Sequence, residues 1–176
     1  MSEKTPAQST AGGAKYLTFS LGTEEYAVSI LKVQEIIGMM DVTPVPRTPE
    51  FVLGVINLRG KIVPVIDLRT KFDMCRAERT DETCIIVVDA RTGEMGIVVD
   101  RVSEVATIPE GEISPPPRFG VSVSTDYLLG IGRSGGRVQL VLDIERVLSE
   151  HEAAGLASLG GDAIDPALSQ EAGDVR

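Results

Sequence analysis

"GVINLRGKIVPVIDL", residues 54–68, decides how the rest of the chain is read. Two runs rich in β-branched residues, Val55-Ile56-Asn57-Leu58 and Ile62-Val63-Pro64-Val65-Ile66, read as strands. Arg59-Gly60-Lys61 supplies the turn between them, with Gly60 free to take a positive φ. The stretch is thus a hairpin with apolar arms and a cationic tip. Asp67 follows, and its carboxylate predicts the N-cap of a short helix over "DLRTKF", as that of Asp143 does over "DIERVL".

The hairpin occurs twice. "FVLGVINLRGKIVPVIDL" (51–68) aligns with "YLLGIGRSGGRVQLVLDI" (127–144) at an offset of 76, so that Gly54, Gly60, Val65 and Asp67 recur as Gly130, Gly136, Val141 and Asp143. Upstream, "EEYAVSILKVQEI" (24–36) aligns with "GEMGIVVDRVSEV" (93–105) at an offset of 69, placing Val28 on Ile97, Val33 on Val102 and Glu35 on Glu104. Two collinear blocks separated by one Pro-rich connection of unequal length indicate an internal duplication. The expected boundaries are residues 15–80 and 81–149, each copy holding several short strands with Gly/Pro turns. That pattern is all-β, of small-barrel or sandwich type. About 65–70 residues per copy is marginal for independent folding, so the copies are expected to share a buried surface.

Outside the body, residues 1–14 are small and polar, and residues 150–176 carry six acids against Arg176; both are expected to be flexible, the second with a frayed helix around "HEAAGLASL". Of the net charge of −9, the tail holds −5 and the body only −4. With 4% aromatic residues and no Trp, the core must be built from Ile, Val and Leu. The acidic balance opposes a nucleic-acid role, which needs clustered Lys and Arg. No stretch approaches the roughly 20 apolar residues of a membrane span, and two cysteines without metal spacing suit a reducing cytosol.

Candidate chemistry is sparse. Cys75 and Cys84 lack a histidine neighbour in sequence, since His151 is the sole histidine. Asp67 and Asp143 hold equivalent places in the two copies, which capping explains better than acid–base work. "GRSGG" (132–136) lacks the Lys-Ser/Thr of a phosphate loop and reads as a hairpin turn. The duplication then acts as an internal control. Asn57, Leu58 and Arg59 are replaced by Arg133, Ser134 and Gly135, so the turn can be built without "NLR". A guanidinium fork beside Val55 and Leu58 is the composition of a binding hot spot. Glu35 recurs as Glu104, so a structural and a functional role stand level there.

"YLTFSLGTEEYAVSILKVQEI", "VTPVPRTPEFVLGVINLRGKIVPVIDLRTKF", "GIVVDRVSEV" and "YLLGIGR…LVLDIERVL" resemble the CheW family of bacterial chemotaxis coupling proteins, from about Tyr16 to Leu148. The resemblance implies two tandem SH3-like five-stranded β-barrel subdomains with short helices. It also implies a non-enzymatic adaptor, without cofactor or metal, that couples methyl-accepting chemoreceptors to the histidine kinase CheA. By position, the receptor contact falls to Val33, Glu35, Gly54, Val55, Asn57, Leu58, Arg59 and Ile85. Val42, Thr43 and Pro44 of "DVTPV" fall to the kinase regulatory domain. The implied setting is the cytoplasm at membrane-associated receptor arrays, with no direct membrane insertion. Three other readings remain: a family scaffold serving a non-motility chemosensory pathway, a small β-barrel enzyme using Asp or Cys, and a nucleic-acid-binding double barrel.

Overall fold

In the computed structural model the chain is mostly β. The structure describes residues 13–75, 77–91, 93–116 and 126–159, and the backbone of 161–162. Twelve strands form in the order β1 (Ala14–Leu21), β2 (Glu24–Ser29), β3 (Val33–Gly38), β4 (Val52–Leu58), β5 (Lys61–Asp67), β6 (Cys84–Ala90), β7 (Gly93–Val99), β8 (Arg101–Ile108), β9 (Ile113–Ser114), β10 (Leu128–Ser134), β11 (Arg137–Leu142) and β12 (Gly161–Asp162). The described residues also form two helices, α1 (Leu68–Lys71) and α2 (Glu150–Ala157), and two 3-10 turns.

The strands make two sheets, β8-β1-β2-β11-β10-β9 and β12-β5-β7-β6-β3, with β4 on the other side of β5. Each sheet closes on itself by the same device. After β8 the chain turns and β9 pairs with β10, Ser114 opposite Ile131. After β3 it bends likewise, and Thr43 bridges Val55 on β4. The pseudo-equivalence explains two conserved-in-repeat glycines: a Cβ on Gly54 would lie 2.1 Å from the Thr43 carbonyl oxygen, and one on Gly130 would lie 2.5 Å from that of Ser114. Only glycine lets the closing segment approach this closely.

The boundary drawn between the two sequence copies is not a boundary between the barrels. The first barrel takes β1 and β2 from the first copy and β8–β11 from the second; the other barrel takes β3–β5 from the first and β6–β7 from the second. The copies exchange their leading hairpins, joined by parallel pairs: Val141 opposite Ala27 in one barrel, Val65 opposite Gly96 in the other. The chain therefore crosses between barrels at Ile30–Lys32 and at Asp100.

Both crossings are clamped by ions of opposite arrangement. At one, Arg69 of α1 grips Asp100 with Nε and a terminal nitrogen, while the Gly22 N–H of the β1–β2 turn donates to the same carboxylate at 2.8 Å. At the other, Lys32 donates to Glu145 at 2.6 Å, while the Arg91 N–H of the β6–β7 turn donates to that carboxylate at 2.8 Å. Arg69 and Glu145 are equivalent by the repeat, as are Gly22 and Arg91. The sign of the pair is reversed, but each turn amide still finds the carboxylate of that clamp.

The core has three parts. A large cluster between the barrels takes Leu17, Phe19, Val28, Ile66, Ile86 and Ile97 among others, from both copies. Phe19, Tyr26, Phe72 and Tyr127 stack through it with centroid spacings of 5.8, 5.7 and 4.4 Å. The second barrel encloses Ile56, Val63, Val65, Ile85 and Val87; the first encloses a thinner set, Ala27, Ile108 and Val141. Leu, Ile and Val thus carry most of the burial, with the few aromatics concentrated at the shared face.

Two other expectations need correction. "DIERVL" forms hydrogen-bonded turns and no helix, although the Asp143 carboxylate accepts the Glu145 N–H at 3.0 Å as a cap would. Residues 150–157, where a frayed helix in a flexible tail is expected, form the capped helix α2, opened by a capping box between Ser149 and Glu152 and anchored by Leu156 at 2% exposure. Lys71 of α1 donates to Glu152 at 2.7 Å. The terminal segments 1–12 and 163–176, also expected to be flexible, lie outside the described residues.

Candidate functional site

The β4–β5 hairpin closes through a two-residue loop. Leu58 faces Lys61, and Arg59 and Gly60 between them both have positive φ, 54° and 90°. This is the turn that matches strand twist, and it demands left-handed backbone at both central positions. The second copy satisfies it with Gly135 and Gly136, at 59° and 78°. The first copy places an arginine where glycine is the easier choice. Asn57 braces the turn by accepting the Gly60 N–H at 2.9 Å.

Arg59 extends from this tip with its side chain 70% exposed and pairs with Glu35 of β3, 31% exposed. That hydrogen bond, foremost, raises the Arg59 pKa above the ordinary guanidinium value. Glu35 stands opposite Val87, and Leu58 follows Ile56 on the same side of β4, so both look toward the mouth of the second barrel. Leu58 packs on the barrel core below. The mouth is therefore a half-exposed apolar floor rimmed by an acid–base pair. Lys61 and Glu94 add a second pair at 3.2 Å.

The remaining expected residues divide by accessibility. Val33 and Val55 are half-buried, and Asn57 is exposed. Gly54 is buried beneath the Thr43 backbone, and Ile85 is wholly buried inside the barrel. Neither presents a side chain to a partner; they hold the mouth in shape. Val42 packs on the same core, with Thr43 and Pro44 exposed beside it. Thr43 and Val55 exchange two backbone hydrogen bonds of 2.9 Å, so the segment expected to meet the kinase and the strand expected to meet the receptor are bonded to each other.

Ile36, which matches Val105 across the repeat, is a further apolar residue on β3 that the repeat does not single out. Both are exposed, at 45% and 53%. Ile36 pairs with Ile86 and so faces the seam between barrels, opposite to Glu35 on the same strand. Reading β3 by strict alternation from Glu35 would have found it.

Among the described residues the alternative chemistries gain no assembled site. Asp67 accepts the Arg69 N–H at 3.0 Å and the Thr70 hydroxyl, as a capping residue does. Burial pushes the Cys84 thiol pKa up, away from thiolate chemistry. Among the described residues no three His, Cys, Asp or Glu side chains gather as metal ligands, and no helix is long and apolar enough to cross a membrane.

Comparison with known proteins agrees with this geometry. The CheW-like domain family matches residues 15–152. The chain is 46% identical over 142 residues to the chemotaxis protein CheW of Klebsiella aerogenes, covering 81% of this chain and 86% of that protein. It is 37% identical to the CheW of Bacillus subtilis, covering 80% and 90% of the two chains. The crystal structure of the scaffolding protein TtCheW from Thermoanaerobacter tengcongensis superposes with a TM-score of 0.73 at 34% identity, covering 80% of this chain and 95% of that one. The chain belongs to the CheW-like family of chemotaxis proteins.

Proposed function

We propose that the chain is a chemotaxis adaptor that joins chemoreceptor cytoplasmic tips to the regulatory domain of the histidine kinase CheA, acting at receptor arrays in the cytoplasm without chemistry of its own. The receptor helix lies against the β4–β5 hairpin, where Leu58 at the mouth of the second barrel, Val55 on the other face of β4 and Val33 at the seam between the barrels offer apolar contact and Arg59 and Asn57 offer donors. Glu35 holds the Arg59 fork until a receptor carboxylate or helix-end carbonyl competes for it. Val42, Thr43 and Pro44 meet the kinase. Because Thr43 is bonded to Val55, displacement of β4 by a receptor is carried directly to the kinase-facing segment.

One observation carries the reading: an arginine occupies a left-handed turn position that the sister hairpin fills with glycine. A non-glycine residue held in such backbone at an exposed tip points to a function for its side chain. Arg59→Gly is the matching test, since Gly135 shows that the fold accepts glycine there. In a pull-down with a receptor cytoplasmic fragment, Arg59→Gly should weaken capture about tenfold while kinase binding persists. Val42→Asp should show the reverse pattern. Unchanged receptor capture by Arg59→Gly would remove the hairpin from the receptor contact.

A further inference from the structure

The two barrels carry one equivalent slot each, and the described strands fill one of them. In the second barrel, β5 pairs with β7 from Val65 onward, and the strands part toward Lys61. β12 enters there and adds to the free edge of β5, Gly161 opposite Ile62 and Asp162 opposite Lys61. In the first barrel, β11 pairs with β2 from Leu140 onward, and the strands part toward Arg137 in the same way. No described strand enters. A groove of about 670 Å³ remains, lined by Gly22, Glu25, Arg101, Arg137, Val138 and Leu140 among others.

The framing of the two slots is the same. Lys61 and Ile62 are equivalent to Arg137 and Val138, and Glu94 to Glu25. The Lys61–Glu94 bridge, 3.2 Å, recurs as Arg137–Glu25, 3.3 Å. The empty slot also presents Val138 at 55% exposure. Arg101 has no ion-pair partner among the described residues and lines the same groove. An unpaired strand edge with an exposed β-branched residue and an uncompensated cation is a liability in a soluble protein unless something covers it.

We propose that this edge of β11 is a second docking site, which receives an extended acidic segment of a partner protein by strand addition. The chain itself supplies the template. In the filled slot a small residue stands in register with the apolar edge position and an acidic one with the cation, so the occupant carries a small residue followed by Asp or Glu. Backbone hydrogen bonds to β11 supply the attachment, and Arg137 and Arg101 select the acid. Glu25, already bonded to Arg137 and to Gln139, holds the arginine toward the slot.

The test is a titration of the isotopically labelled full chain with an end-blocked peptide, Leu-Gly-Gly-Asp-Ala-Ile, the sequence of residues 159–164. Saturable amide shifts are expected at Arg137, Val138 and Gly22–Glu25, with the amides of Lys61 and Ile62 unmoved. Val138→Asp should weaken the binding about tenfold or more, and Arg137→Glu should do so independently if the first variant is poorly folded. Shifts confined to Lys61 and Ile62 would mean exchange with the chain's own strand and would overturn the proposal. So would an absence of saturable shifts, which is also the result if residues 163–176 of the same chain close the slot. Self-association of the peptide-free chain through Val138 would give the slot to a second copy and equally defeat the partner reading.

Discussion

At the residue scale, Arg59 and Glu35 define what the mouth of the second barrel can do. Their pair is surface-exposed, so it holds the fork in place without adding much to stability. Arg59→Gly should leave the melting temperature unchanged or slightly higher, because the turn then carries the residue its backbone prefers. Glu35→Gln leaves the fork less restrained and should alter receptor affinity without disturbing kinase capture, readable in the same pull-downs. Arg59 is also singled out at this scale by the sequence alone, for a definable reason. Arg59 stood out because its counterpart is glycine, and the structure gives the cause: a left-handed turn. Ile85 shows the opposite. Its alternation within "CIIVV" does not say which side of the strand faces the barrel interior, and burial removes it from direct contact.

At the scale of elements, the closing bridge between Thr43 and Val55 depends on Gly54. Its φ of +146° and the 2.1 Å approach leave no room for a methyl group. Gly54→Ala should lose about 2–3 kcal/mol in chemical denaturation and weaken both receptor and kinase binding, since it displaces the segment that joins them. Gly130→Ala, at the equivalent closure of the first barrel, should cost stability but spare both contacts. Equal loss of partner binding in the two variants would argue that global stability, rather than the bridge, governs binding. Helix α2 teaches a different lesson at this scale. Its small, acidic composition reads as a frayed helix, yet the capping-box spacing of Ser149 and Glu152 and the anchor supplied by Leu156 fix it.

For the whole molecule, the duplication was legible and the exchange of hairpins was not. Equivalent strands have equivalent patterns, so a hairpin fits the barrel of either copy. The choice is made by the parallel pairs β2–β11 and β5–β7, contacts too distant in sequence to leave a local signal. The ionic clamps at the crossings should matter accordingly. Arg69 donates to Asp100, and this bond above all holds the Asp100 carboxyl below its usual pKa despite partial burial. A carboxylate with a depressed folded pKa stabilises the fold above its unfolded pKa, and that contribution disappears as pH falls through the folded value. Asp100→Asn should therefore cost about 1–2 kcal/mol at neutral pH, allowing for partial exposure, and the difference from the parent chain should vanish in strong acid. Thermal melts from neutral pH downward check this; a difference independent of pH would contradict an ionic clamp.

In the proposed function this double barrel transmits receptor state to a kinase through one hairpin and its bonded neighbour. The most direct measurement is kinase autophosphorylation in a reconstituted mixture of receptor cytoplasmic fragment, CheA and this chain. The account predicts receptor-dependent kinase activity only when the chain is present, with the dependence lost in Arg59→Gly while that variant still binds the kinase. Receptor-dependent activity that is the same without the chain, or unchanged with Arg59→Gly, would contradict it.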